Sequence, residues 1–264
     1  MIRFALLVGE HARDFVVIGG LNPDLLAPEA PVPHQGTTDV DLLFALGFDD
    51  VDEASDFAWI DEALAEGGFT SANKWRWDAV LGDAHVRFEF LCDVWDHTAD
   101  TVPLPGSNAV ASKIAGPGAA LALPIDRELP VSRAIHADHA DAPESVTLRF
   151  ANLGGYLLAK AAAAVERTLA KDKYDLMYVI LYNDGGADAA ASAVAFQLDA
   201  VGDTASADHI RDAMKRFLDP SGMWAGRFAS SMILAGDSAP EEQLRTDAAM
   251  GARTFLDRLD TLGV

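Results

Sequence analysis

The stretch Phe15-Val16-Val17-Ile18-Gly19-Gly20 constrains the fold of this chain more than any other. A β-branched apolar run that stops on two glycines is a strand delivering its backbone into a tight turn. The missing Cβ atoms allow close approach by a phosphate or by another backbone. A loose segment follows, and then Thr37-Thr38-Asp39-Val40-Asp41-Leu42-Leu43-Phe44, a second strand. Side chains alternate along a strand, so Asp39 and Asp41 share one face, roughly 6.5 to 7 Å apart at Cα, while Val40 and Leu42 point into a core.

Two carboxylates on one strand face repel each other and are costly to desolvate. One solution is a divalent cation: Mg²⁺ takes hard oxygen ligands and commonly sits between one or two carboxylates and substrate phosphates. The other is an edge strand whose acids face water. A third acid bears on the choice. The run from His85 to Leu91 reads as a strand with Arg87, Glu89 and Leu91 on one face and Val86, Phe88 and Phe90 on the other. Lying beside the Asp39/Asp41 strand, it would aim Glu89 at the same space; alternatively, Glu89 pairs across strands with an Arg or Lys.

The second informative region is Asn152 to Asn183. Its alanine-rich, proline-free composition predicts a strong helix followed by a second helical stretch from Lys171 to Leu181. Lys160, Arg167 and Lys171 recur at intervals of seven and four. On a continuous or nearly continuous helix they stack on one face, near Ala164 and Asp175. That stripe is either a triphosphate contact or a solvated face with a Lys171–Asp175 pair.

The apolar strand, Gly-Gly, short helix and Asp-x-Asp together resemble the nucleotidyltransferase superfamily. The form Thr37-Thr38-Asp39-Val40-Asp41 looks most like its AbiEii/AbiGii toxin branch. The later motif of that branch is matched in register by Lys160, Ala164, Arg167, Lys171-Asp172 and Asp175-Leu176. The resemblance covers roughly residues 1–185. It implies an α+β fold with a mixed sheet and helices, followed by a helical C-terminal domain, divided as 1–150 and 151–264 with the active site in the cleft. It further implies that Asp39, Asp41 and Glu89 hold Mg²⁺ and are catalytic. Gly19, Gly20 and Thr37 would cradle the nucleotide from one side, and Lys160, Arg167, Lys171, Asp172 and Asp175 from the other. The implied reaction moves a nucleotide from a nucleoside triphosphate to an acceptor such as a tRNA 3′ end, as the toxin partner of an antitoxin protein. One position departs from the branch, which usually carries Arg two residues before the Thr of this motif; here it is Gln35, preceded by His34. A silent nucleotide- or protein-binding module of the same fold is the competing expectation.

Composition limits the alternatives. A net charge of −21 repels polyanions in general, so an RNA acceptor requires basic residues gathered locally. Cys92, the one cysteine, rules out an intrachain disulfide and a multi-cysteine zinc cluster. No apolar run is long enough to span a membrane and no secretory signal pattern opens the chain, so a cytoplasmic protein is expected. Residues 93–146 are rich in Gly, Pro and Asp and yield no clear order of elements. They lack both a complete phosphate-loop motif and a Gly-x-Ser-x-Gly. His136 and His139 make a weak case for a metal hydrolase, and His34 and His85 read as surface residues.

A leading helix over 2–13 is expected, with a short helix from Leu21 ending before Pro28 and a proline-rich loop over 27–36. A helix over 52–67 and a hairpin of strands at 75–80 and 85–91 follow, with Trp75 and Trp77 facing a core. Beyond residue 187 the pattern gives helices at 188–198, 205–218 and 240–262, with Met223 and Trp224 as packing and turn residues.

Overall fold

The computed structural model describes residues 1–46, 56–81, 84–94, 98–138, 140–202 and 204–264. Along the chain the elements are α1 (Ile2–Val8), β1 (Phe15–Ile18), α2 (Asn22–Leu26), β2 (Asp39–Phe44), α3 (Ala58–Glu66), β3 (Arg76–Leu81), β4 (Ala84–Cys92), β5 (Thr101–Pro103), β6 (Val110–Lys113), β7 (Ile125–Pro130), α4 (Arg133–Asp138) and β8 (Ser145–Phe150). Helices follow: α5 (Leu153–Glu166), α6 (Ala170–Tyr182), α7 (Gly186–Val201), α8 (Thr204–Phe217), α9 (Met223–Leu234) and α10 (Glu241–Leu262). A mixed α/β N-terminal sheet region thus precedes a largely helical C-terminal region. No described helix is long and apolar enough to cross a membrane.

The chain divides into two compact units. The sheet unit comprises Met1–Ile18, Thr38–Ala115 and Pro124–Phe150. The helical unit comprises Gly19–Thr37, Gly116–Leu123 and Ala151–Val264. Two excursions from the N-terminal half, the glycine turn with its proline-rich loop and the segment 116–123, therefore belong with the helices.

In the sheet unit the strand order is β5-β6-β4-β2-β1-β8-β7, with β3 also paired to β4. Nine-residue β4 organises the layer. β2 runs parallel along one edge of it; β3 lies antiparallel along the first part of the other edge, and β6 runs parallel along the last part. Aromatic residues at alternate positions make the core, because Phe88 and Phe90 are fully buried on the same face of β4. Phe4 of α1 meets Phe88 with ring centroids 4.6 Å apart, and Phe44 of β2 meets Phe90 at 5.3 Å. Burying each such ring contributes roughly 1.5–3 kcal/mol. Expectation and structure differ at α1, which stops at Val8 and continues as a 3₁₀ turn through Arg13. Trp75 lies outside β3 and is half-buried beneath the Arg76 guanidinium, 4.6 Å from the ring centroid, rather than in a core. The start of the helix expected over 52–67 and the Gly82-Asp83 turn lie outside the described residues.

The helical unit is held by polar stitching as well as by its alanine-rich core. Asn152 caps α5 by accepting the Gly155 N–H at 2.7 Å, and its amide donates to Gln197 Oε1 at 2.7 Å and to the Leu123 carbonyl at 2.9 Å. Gln197, fully buried on α7, donates to the carbonyls of Ala119 and Ala122. One cap residue and one glutamine thus fasten the excursion 116–123 to α5 and α7. The helix α9 is an element the sequence reading missed: Met223 and Trp224 open it rather than forming a turn.

Asn152→Ala removes the cap and leaves the buried Gln197 Oε1 without the donor that Asn152 supplies. We expect a loss on the order of 2 kcal/mol in urea denaturation, and an unchanged midpoint would contradict this role.

Candidate active site

The sheet unit carries the acids. Along β2 the burial alternates as expected, with Asp39 and Asp41 half-buried and Val40 and Leu42 buried. Opposed residues in neighbouring strands point to one face, and the register sets Asp39 beside Arg87 and Asp41 beside Glu89, with Asp78 and Arg76 next in line on β3. Two charged rows result. In the first, Arg87 lies 3.6 Å from Asp39 and 3.0 Å from Asp78. In the second, Arg76 holds the Glu89 carboxylate at 2.8 Å. The hydrogen bond to Asp78 raises the Arg87 guanidinium above its ordinary range; burial opposes this, and the charges of Asp78, Asp39 and Glu89 add to it. Both readings of Glu89 therefore meet in one residue, which stands beside Asp41 and is also ion-paired across strands. Four carboxylates against two guanidinium groups leave this face negative.

The chemistry of this donor set suits a hard divalent cation, and one or two carboxylates plus substrate phosphates suffice for Mg²⁺. Asp39 and Asp41 meet that need. Among the described residues no group of three or more His, Cys, Asp or Glu is arranged to hold a metal; Glu89 stands beside Asp41 and is ion-paired to Arg76. His139 lies outside the described residues.

The helical unit carries the cations, arranged differently from the expected stripe. The helix breaks at Arg167, whose backbone is extended at φ −104°, ψ 152°, and α6 begins only at Ala170. The Lys173 ammonium donates to the Arg167 carbonyl at that break, satisfying one of the acceptors that a helix end exposes. Arg167 itself is exposed. Lys160 of α5 and Lys171 of α6 converge through acids on α6. Lys160 Nζ lies 2.9 Å from Asp175 and 3.3 Å from Asp172, and Lys171 Nζ lies 3.1 Å from Asp175.

Asp175 is the centre of this group. Its side chain is 0% exposed, and so is that of His34, which meets it at 2.8 Å. This corrects the reading of His34 as a surface residue. The Gly36 N–H donates to His34 Nδ1 at 3.1 Å, so the ring proton lies on Nε2 and is donated to Asp175. Burial alone would raise the Asp175 carboxyl, but the Lys160 ammonium, the His34 bond and Lys171 together hold it well below the usual carboxylate range. Around it, Tyr178 donates to the Val32 carbonyl and the Gln35 N–H donates to Tyr174, while the Gln35 amide reaches the Ser231 carbonyl. Burial pushes the Tyr178 phenol up to about 12 and raises Tyr174 as well, so neither is a base at neutral pH. The proline-rich segment read as loose is thus pinned to α6 and α9.

Thr37 ends that segment, and it explains one glycine. A Cβ on Gly20 would sit 2.5 Å from the Thr37 Cβ, so only glycine allows the two chains to close. Gly19 adopts φ +77°, which favours glycine independently. The turn continues through Leu21 into α2, where Pro23 is accommodated in the first turn.

With the geometry in view, the chain has no match among family models, curated proteins or solved structures. The case for function rests on its own residues.

Asp175→Asn leaves the Lys160 and Lys171 ammonium groups without their shared counterion and should cost about 3 kcal/mol at pH 7. Because the folded Asp175 titrates below its unfolded value, its stabilisation is fully present above about pH 5 and is lost as pH falls below about 4. Chemical denaturation from pH 7 to 3 should therefore show a shallower acid decline in the variant, and parallel curves would contradict the clamp.

Proposed function

We propose that this protein is a Mg²⁺-dependent nucleotidyltransferase that moves a nucleotide from a nucleoside triphosphate to an acceptor, with an RNA 3′ end such as that of tRNA as the acceptor class. The observation that carries the reading is the pair Asp39 and Asp41 on one face of β2, with Glu89 in register beside Asp41. The resemblance to AbiEii/AbiGii-like nucleotidyltransferases supports it, since Lys160, Arg167, Lys171, Asp172 and Asp175 keep the order and spacing of the branch's later motif.

In this reading Asp39 and Asp41 would hold the ion, which when bound supplies charge neutralisation of the triphosphate and of the leaving pyrophosphate. Arg76 and Arg87 limit repulsion among the acids and fix their rotamers. Lys171, 42% exposed, presents an ammonium to phosphate oxygens; Lys160, 14% exposed, is committed chiefly to Asp172 and Asp175. Asp175 is a positioning residue that aims both lysines and seats His34. Arg167, exposed at the helix break, carries a guanidinium fork suited to a phosphate. By the same resemblance the chain would act as the toxin of a toxin–antitoxin pair.

A second reading, a silent nucleotide-binding module, draws on one observation: the Glu89 carboxylate is ion-paired to Arg76. Transfer of labelled nucleotide separates the two. Incubated with labelled triphosphates, Mg²⁺ and total RNA, the wild type should label RNA. Asp41→Asn should lower the rate at least a hundredfold without lowering the melting temperature, because it relieves acid repulsion. Equal rates in the two proteins would refute the transferase reading, and label confined to protein would refute the RNA acceptor.

A further inference from the structure

Trp224, at the start of α9, is a buried ring bracketed by cations from two other helices. The Lys173 ammonium of α6 and the Arg216 guanidinium carbon of α8 each lie 5.3 Å from its centroid. Arg227 follows Trp224 by three positions on α9 and is exposed, as is Arg216. Two carboxylates offset the group: Asp212 binds Arg216 at 2.6 Å, and Asp172 adjoins Lys173. No carboxylate lies within ion-pair distance of Arg227 among the described residues. Burial, with the added repulsion of Arg216 and Arg227, pulls the Lys173 ammonium below the ordinary lysine range, even with Asp172 beside it. In a chain with 20 cationic and 41 acidic side chains, gathering cations against one another is a cost that an anion would remove.

We propose that Arg216 and Arg227, with the buried Lys173 ammonium behind them beside Trp224, form a phosphate-binding site on the helical unit. Its ligand is a phosphate group, which arginine forks match through paired N–H donors and a lysine matches as a point charge. That group belongs either to a free phosphate compound or to the backbone of an RNA strand. The ring of Trp224 supplies a rigid wall that favours cations over its faces. None of these three residues belongs to the nucleotide contacts proposed above, and the site needs no metal, so it stands or falls apart from the transferase reading.

The test uses the exposed arginines, Arg216→Gln and Arg227→Gln, because Lys173 is buried and tied to the Arg167 carbonyl. Inorganic pyrophosphate and a short single-stranded RNA are titrated into the full chain by calorimetry at low salt. Each variant should weaken binding of at least one probe by about fivefold or more, and added salt should weaken wild-type binding. A loss seen with pyrophosphate assigns a free phosphate ligand; a loss confined to RNA assigns a strand. Absence of wild-type binding to either probe, or full wild-type affinity in both variants, overturns the site. Asp41→Asn should retain the affinity while losing transfer, which separates failure here from failure of the transferase reading.

Discussion

A fully buried carboxylate cannot remain charged in a protein interior unless cations and donors surround it, and Asp175 imposes that demand on the helical unit. Lys160 from α5, Lys171 from one turn earlier on α6 and His34 from the proline-rich segment all answer it. Their convergence fixes the pairing of α5 with α6 and ties residues 32–36 to α6. It also places Thr37 against Gly20. Removing one partner would strand the others, so the group behaves as a unit more than as a sum of ion pairs.

The sheet unit solves the opposite problem, acids crowded on a solvated face. The rows Asp39–Arg87–Asp78 and Asp41–Glu89–Arg76 distribute charge across three strands, yet still leave an excess of carboxylate. That excess can be maintained because the face is half-exposed and the residues beneath it, Val40, Leu42, Phe88 and Phe90, form an apolar core.

Much of this was legible in the sequence because it depends on local rules. Period-two alternation gave β2 and β4 and the shared face of Asp39 and Asp41, the β-branched apolar run gave β1, and the Gly-Gly turn followed from backbone freedom. The alanine-rich composition gave α5, and the spacing of Leu244, Phe255 and Leu259 gave α10 its buried face. What was missed depends on distant partners. His34 looked like a loop residue because nothing nearby in sequence reveals that Asp175, 141 positions away, buries it. The break at Arg167 carries no proline or glycine, and it is met by Lys173 only once α6 turns back. The strands within 93–146 were unreadable because three- and four-residue pieces such as β5 and β6 owe their existence to pairing, β6 with β4 and β5 with β6, rather than to their own periodicity. The helix α9 was hidden by the glycine and proline that precede it.

The central claim is that the carboxylates of β2 engage a triphosphate through a divalent ion. Calorimetric titration of the full chain with a non-hydrolysable nucleoside triphosphate, with Mg²⁺ and with chelator, tests it most directly. Wild-type binding should require Mg²⁺, and Asp39→Asn should lose that requirement along with at least about tenfold in affinity. Binding of equal strength with chelator present, or unchanged in Asp39→Asn, would contradict it.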